Sequence, residues 1–180
     1  SISQGKIIQR TPVKGAKFLN DIAIYHDGSV FVSDTLSSKI YQIKKGKVSV
    51  FMSGSRLESP NGLLFEGEKL LVASWGLTTD WSTKKLGTLY QIDMNTRARS
   101  KVKSNLRGNL DGLELSKMGR FLVSDWVAGK VYVVDQEGVS KLAIDGLKGA
   151  ADLGYVPAKN LIIVPRMKEN SITAYRLNDQ

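Results

Sequence analysis

The sequence predicts an all-β protein folded as a β-propeller of four four-stranded blades. Short runs of apolar and β-branched residues recur between Gly, Asp and Ser, as in KVYVV after Gly129, and such runs are typical of strands. The runs repeat as a unit four times along the chain. No stretch of useful length has the period of a helix. A repeat of about 40 to 50 residues has the length of one propeller blade.

One complete unit spans residues 109–145. Its predicted strands are separated by turns at residues 117–119, 127–129 and 136–138, and they run over about residues 111–115, 121–124, 131–134 and 139–144. Four consecutive strands joined by tight turns form one antiparallel blade, with the first strand innermost.

The four units align on one polar position, at spacings of about 40, 50 and 41 residues: Asp21, Asn61, Asp111 and Asp152. The second strands end in VFVSD, LLVASW, FLVSDW and LIIVPR, and the third strands contain KIYQI, TLYQI, KVYVV and SITAY. An insertion at residues 76–87 explains the longer second spacing. We predict one domain over the 180 residues, with repeats that start near residues 14, 54, 105 and 146.

The opening segment GKIIQRTPV, residues 5–13, resembles GKVSVFMSG, residues 46–54, which is the outermost strand of a blade. The last unit has only three predicted strands. If the ring closes, the N-terminal strand completes the last blade and removes two exposed sheet edges. The prediction is then sixteen strands in four blades.

Composition excludes several classes of function. The chain has no cysteine, so disulfides and thiolate metal sites are excluded, and both cytoplasm and periplasm fit. No run of about 18 apolar residues occurs, so we expect no membrane span. No leader is recognised in this chain, so the localisation stays open.

The net charge of +9 does not indicate a nucleic-acid partner. The lysines lie mostly in predicted turns, and one ladder of Arg97, Arg99, Lys101 and Lys103 alternates along an outer strand. Like charges on an outer strand protect the edge from pairing with another chain. No aromatic residue is interleaved with the ladder, as single-strand binding requires.

Equivalent positions in a propeller lie at one height around the axis. The residues that start the inner strands, Asn20 with Asp21, Asn61, Asp111 and Asp152, should therefore form a ring at one mouth of the channel. Their oxygens are the ligands that calcium takes. The alternative is that Asp and Asn start strands here because they suit turns.

The second strands end at the same mouth and add Trp75, Trp126 and Arg166. Two tryptophans at matching positions would form an aromatic rim for a flat or sugar-like small molecule. The alternative is that both rings pack between blades. Trp81, in the insertion, should overhang this mouth and act as a lid.

The strings FLNDIAI, SPNGLLFEGEKLLVASWG and NLDGLELSKMGRFLVSDWVAGKVYVVD resemble the SMP-30/gluconolactonase-like family of six-bladed β-propellers. The resemblance covers nearly the whole chain. It implies a divalent metal at the axial mouth, often calcium, and hydrolysis of sugar lactones. It also implies that Asn61 and Asp111 bind the metal, that Asp111 is the proposed base, and that Asn20 contacts substrate.

The chain departs from the family pattern in its blades. It resembles the last four of six blades, and the family's metal-binding Glu, which lies in the first blade, has no counterpart here. Either the chain is a fragment, or its four blades close through the opening strand. Asp152 or Asp21 is the candidate replacement for that Glu.

Two functional hypotheses follow. The first is a metal-dependent lactonase-like hydrolase, or the larger fragment of one, that uses calcium or alternatively zinc. Its metal ligands are Asn61 and Asp111, its catalytic residues Asp111 and Asp152, and its substrate-binding residues Asn20, Asp21, Trp75, Trp126 and Arg166. The second is a non-catalytic propeller, a binding or interaction scaffold that holds a structural ion or a small ligand. If the four blades form an open arc, we expect the chain to associate with itself through the open blade faces.

Overall fold

The computed structural model describes residues 1–177, and it is a four-bladed β-propeller built from four small antiparallel sheets. Helix is limited in this part of the chain to four single 3₁₀ turns: Thr35–Ser37, Ser55–Leu57, Pro157–Lys159 and Met167–Glu169. Among the same residues, no helix has the length and apolar character that crossing a membrane requires.

Each sheet pairs its strands in chain order, with the first strand of each blade innermost. Blade 1 contains β1 (Leu19–Ile24), β2 (Val30–Asp34), β3 (Lys39–Lys44) and β4 (Lys47–Ser53). Blade 2 contains β5 (Pro60–Glu66), β6 (Lys69–Ser74), β7 (Leu89–Asp93) and β8 (Arg99–Lys101). Blade 3 contains β9 (Leu110–Leu115), β10 (Phe121–Asp125), β11 (Lys130–Val134) and β12 (Ser140–Ile144). Blade 4 contains β13 (Gly154–Val156), β14 (Leu161–Arg166) and β15 (Ser171–Arg176).

Hydrophobic side chains pack between consecutive blades. One cluster joins blades 1 and 2 around Phe31, Leu70 and Tyr90, and two others join blades 2 with 3 and 3 with 4. No such cluster joins blade 4 to blade 1 within the described residues. The face of β1 therefore leaves Ile22 and Ile24 exposed.

The N-terminal closing strand is a wrong prediction. Residues 1–18 form no strand, Ile7 and Ile8 are exposed, and blade 4 has three strands in the described chain. The two isoleucines are adjacent, so they point to opposite faces and neither face of the segment is consistently apolar. Pro12 also lacks a backbone donor for pairing.

The strand register shows that one residue of the predicted ring is misaligned. The pairs Leu19 with Asp34, Pro60 with Ser74 and Leu110 with Asp125 are equivalent in the three blades, and each inner strand has an irregularity just after that pair. Counting from these pairs, Asn20 is the equivalent of Asn61 and Asp111. Asp21 takes the place of a glycine in blades 2 and 3, and the alignment on Asp21 is wrong by one residue.

The glycines at that position mark where neighbouring inner strands approach closely. A Cβ on Gly62 would lie 2.2 Å from the Asp111 carbonyl oxygen, and one on Gly112 would lie 2.5 Å from the Leu153 nitrogen. Only glycine fits such an approach. This contact brings the start of each inner strand close to the axis.

Half of the basic ladder has a packing role. The Arg99 guanidinium lies 4.0 Å from the ring centre of Tyr90 and 3.1 Å from Glu58. Arg97 lies 5.1 Å from the ring centre of Phe51 in blade 1. Lys101 and Lys103 are exposed, as edge protection predicts.

Candidate functional site

A cavity of about 460 Å³ opens at the mouth where the inner strands begin. Its size is that of a small-molecule site. All four blades contribute to it, and its lining residues are Phe18, Asn20, Asn61, Trp75, Trp81, Asp111, Trp126, Val127, Ala151, Asp152 and Met167. The structure thus brings together six of the predicted site residues: Asn20, Asn61, Trp75, Asp111, Trp126 and Asp152.

Asn61 carries an unsatisfied acceptor in this cavity. Its side chain is fully buried, and its Nδ2 donates to the Leu110 carbonyl oxygen at 3.2 Å. This contact fixes the orientation of the amide, because a flipped amide would place two oxygens together. Within residues 1–177 its Oδ1 has no hydrogen-bond partner. A buried acceptor without a partner is costly and needs an explanation.

Asp111 is a buried carboxyl in a negative environment. Burial is the main cause that raises its pKa to about 7, and repulsion from Asp152 and Asp21 adds to it. A hydrogen bond with Asn61 acts in the opposite direction. Burial also raises the pKa of Asp152. Both carboxyls would become more stable as anions if a cation lay between them.

The donor set fits a hard divalent cation. Two carboxylates with raised pKa values and an amide oxygen without a partner are oxygen ligands of the kind that calcium binds, with water completing its shell. The described residues contain no group of three or more His, Cys, Asp or Glu side chains arranged to hold a metal ion. The protein ligands at this mouth would therefore be few and would include Asn61.

Asp21 lies below the mouth. It lines a second cavity of about 320 Å³ along the axis, together with Glu114 and Asp152. Its Oδ2 accepts a hydrogen bond of 2.6 Å from the Leu63 amide, which joins blade 1 to blade 2. Burial, and then repulsion from Asp152, raises the pKa of Asp21 to about 7.

Sequence reasoning missed Glu114 in this axial cavity. Its position in inner strand β9, three residues after Asp111, was the available signal. Burial and then repulsion from Asp152 raise the pKa of Glu114. Asp152 lines both cavities and therefore connects the mouth with the axial carboxyls.

Four aromatic rings form one wall of the mouth. The ring centres of Trp75 and Trp126 are 5.9 Å apart, those of Trp75 and Trp81 5.1 Å, and those of Trp81 and Phe18 4.7 Å. The last two pairs meet edge to face. Phe18 was missed from the sequence because it precedes β1, outside the repeated strands.

The insertion reaches this mouth, as predicted. Trp81 lines the cavity and has a positive φ of 70°, an unfavourable conformation for a bulky residue. The Asn109 side chain joins the start of this segment to its middle, because Nδ2 donates to the Trp75 carbonyl at 2.9 Å and to Thr83 Oγ1 at 2.8 Å. The position of Trp81 over the mouth is thus built into the fold.

Arg166 lies outside the lining of the mouth cavity. It forms an ion pair with Glu169, three residues later in the chain. Its backbone lies at the end of β14, where the sequence placed it, but a neighbouring carboxylate engages its side chain. Among the residues of this stretch, Met167 lines the cavity instead.

Solved structures with the same fold include two β-propeller enzymes. A gluconolactonase from Xanthomonas campestris superposes with a TM-score of 0.65 at 16% identity, over 87% of this chain and 57% of that one. A streptogramin B lyase superposes with a TM-score of 0.57 at 11% identity, over 88% of this chain and 54% of that one. The chain therefore spans little more than half the length of each.

At the level of sequence, no protein-family model and no curated protein matches the chain. The two structural neighbours carry different activities in their names, one a lactonase and the other a lyase. The superpositions show a common fold, but at sequence identities this low they do not show a common reaction. The reaction has to be inferred from the residues of the site. The chain shares the β-propeller fold of these two enzymes.

Proposed function

We propose that this chain is a metal-dependent lactone hydrolase or the larger part of one. The observation that carries the proposal is the unpartnered Asn61 Oδ1 beside the buried carboxyl of Asp111, at the inner end of an aromatic-walled cavity. The likeness of the fold to a gluconolactonase supports the same reaction class.

Asn61 and Asp111 would hold the divalent cation, calcium or alternatively zinc. When bound, such a cation supplies positive charge that polarises a carbonyl oxygen and makes a nearby water more acidic. Asn61 contributes an oxygen without adding charge, and Asp111 contributes a charge that burial otherwise disfavours.

Asp152 is the general base in this proposal. Water attacks the carbonyl carbon of the lactone, a proton of that water passes to the Asp152 carboxylate, and the ring carbon–oxygen bond breaks. The ring oxygen then takes the proton and leaves as a hydroxyl group, so water is added across the ester bond. The raised pKa of Asp152 makes its carboxylate a stronger base than an ordinary aspartate, which favours uptake of the proton from water.

Asn20 and the tryptophans position the substrate. The Asn20 Nδ2 donates to Thr35 Oγ1 at 3.2 Å, which orients its side chain within the cavity lining. Trp75 and Trp126 form the wall against which the lactone ring would pack. Exclusion of water by these rings strengthens the electrostatic contacts at the inner end of the cavity.

Titration of calcium chloride and zinc chloride by calorimetry tests the metal site. Wild type should bind one ion, and Asn61→Ala and Asp111→Ala should each weaken binding by at least about tenfold, as loss of a ligand or of a group that orients one does. The matched control is Asp145→Ala, which removes an exposed carboxylate from blade 3 and should bind the ion as wild type does.

Lactone hydrolysis, followed by acid release at constant pH, tests the reaction. Asp152→Asn should lower kcat by about 10²-fold or more, because the general base is lost. If wild type neither binds an ion nor hydrolyses any lactone, the proposal fails and a non-catalytic binding propeller is the function.

A further inference from the structure

We infer that the substrate is a lactone that carries an apolar substituent, such as an alkyl chain or an aryl group, and not a polyhydroxylated sugar lactone. The inference rests on the proposed function, since it concerns the substrate of the same cavity. It replaces the expectation of a sugar lactone, which the resemblance to the family implied. The evidence is where the polar and apolar groups lie in the cavity.

The two most buried polar side chains lie at the inner end, and the exposed part of the lining is mostly apolar, with Asp152 as its exposed polar residue. Asn61 is 0% exposed and Asp111 is 8% exposed, whereas Phe18 is 43% exposed and Val127 and Met167 are each 59% exposed. Seven of the eleven lining residues are apolar. A ligand with one polar end and one apolar end matches this gradient, because each end meets groups of its own kind.

Sugar hydroxyls would lack partners along the wall. A sugar lactone carries hydroxyl groups around its ring, and each must keep a hydrogen bond when it leaves water. The polar side chains that line the cavity are Asn20, Asn61, Asp111 and Asp152. They can serve the carbonyl and the ring oxygen, and the buried Trp75 Nε1, which has no partner among the described residues, would serve one hydroxyl. The other hydroxyls, directed toward the opening, would face Phe18, Val127 and Met167.

The aromatic rings are not arranged as platforms for a sugar. Sugars pack on open, flat ring faces, and here Trp81 meets both Trp75 and Phe18 edge to face. The Lys168 ammonium lies 4.4 Å from the ring centre of Trp126, so a cation occupies one face of that ring. The rings instead enclose an irregular apolar space, into which a flexible chain fits.

The volume agrees with this substrate. A cavity of 460 Å³ holds roughly 15 nonhydrogen atoms if each takes the ~30 Å³ of a liquid water. A five-membered lactone with a six-carbon chain or a phenyl group has about 12. Its ring would lie over Asn61 and Asp111, and its substituent would cover Phe18, Val127 and Met167.

The first test compares three substrates on the wild-type protein with calcium present: γ-butyrolactone, the same ring with a hexyl chain next to the ring oxygen, and D-glucono-δ-lactone. We expect kcat/KM for the hexyl lactone to exceed that for each of the others by at least about 50-fold, the gain that three fully buried methylenes supply. Equal or higher kcat/KM for the sugar lactone would overturn the inference.

Substitutions in the cavity wall test which residues contact the hexyl chain. Met167→Ala and Trp81→Ala should narrow the ratio of kcat/KM between the hexyl and unsubstituted lactones, and Trp81→Ala, which removes the ring that packs on Phe18, by at least about fivefold. The matched control is Leu142→Ala, which removes an exposed leucine from the outer strand of blade 3 and should leave the ratio unchanged. An unchanged ratio in a folded Trp81→Ala protein, checked by circular dichroism, would contradict the placement of the chain.

A binding measurement keeps this inference separate from the proposed function. The five-membered lactam with a hexyl chain cannot be turned over by a lactone hydrolase. By calorimetry it should bind at least about tenfold more tightly than the unsubstituted lactam, even to Asp152→Asn. If no lactone is hydrolysed but this difference appears, the reaction is wrong and the apolar ligand class stands. If lactones are hydrolysed but the difference is absent, the reaction stands and the inference fails.

Discussion

Replacing Asp21 with asparagine should remove much of the pH dependence of stability between pH 5 and pH 8. In the folded protein, burial and the neighbouring Asp152 raise the pKa of Asp21 from its ordinary value of 3.8 to about 7. A carboxyl with a raised folded pKa favours the native state while it is protonated. Its contribution to stability is therefore lost as pH rises from about 4 to about 7.

The size of the effect follows from the shift. Each pKa unit corresponds to about 1.4 kcal/mol of stability. The pKa of Asp21 rises from 3.8 to about 7, and about two units of that rise fall in the range from pH 5 to pH 7. Because Asp152 shares the repulsion, we expect wild type to lose about 2–3 kcal/mol more than Asp21→Asn over this range. For a chain of this length that is roughly 4–12 °C in Tm.

The sign of the Tm difference between Asp21→Asn and wild type should also change with pH. Asp21 accepts hydrogen bonds of 2.6 Å from the amides of Ile22 and Leu63, and asparagine has one acceptor oxygen to offer. The amide left without a partner costs about 1–2 kcal/mol at every pH. Asp21→Asn should therefore melt below wild type at pH 5 and at or above it at pH 8.

Thermal unfolding followed by circular dichroism in buffer with EDTA measures the change in Tm with pH and the Tm difference between Asp21→Asn and wild type. The control is Asp27→Asn, because the Lys44 ammonium lowers the pKa of Asp27 and that carboxylate stays charged throughout this range. Its Tm difference from wild type should not change with pH. Melting curves of Asp21→Asn and wild type that shift in parallel with pH would refute the reasoning.

Two further predictions concern the blades. Gly62→Ala should lower the free energy of unfolding by about 3 kcal/mol in urea, because its Cβ would overlap the Asp111 carbonyl; a loss below about 1 kcal/mol would show that the strands can separate. The exposed Ile24 of blade 1 and Ile172 of blade 4 should support self-association, measured as solution mass by sedimentation. Ile24→Glu should reduce that mass, and a wild type that is monomeric at high concentration would contradict the prediction.

The positions of Asn61 and Asp111 at the mouth could be predicted from the sequence. The repeat placed them at equivalent positions of neighbouring blades, and equivalent positions of a propeller converge on one axis. The same argument brought Trp75 and Trp126 together, because they follow equivalent second strands. In a repeat protein such contacts can be predicted from the sequence, because residues at equivalent positions of the repeats occupy equivalent places around the axis.

Phe18 lies outside the repeat and could not be placed in this way, whereas Trp81 was placed by the position of the insertion that carries it. Phe18 and Trp81 meet only because a segment before β1 and an insertion in blade 2 fold over the same mouth. Arg166 occupies a repeat position, yet Glu169 holds its side chain. Side-chain direction depends on local partners, and the strand pattern does not specify them.

The all-β fold, the four repeats and the polar inner end of the mouth follow from the amino-acid sequence alone, because strand period and repeat length are local properties of the chain. The tertiary structure places Asp21 at the axial cavity and not at the mouth, because Asp21 is one residue past the position equivalent to Asn61 and Asp111 and its side chain takes a different direction. It also decided that residues 5–13 pair with no strand, because pairing requires an edge at the right distance and a face to bury.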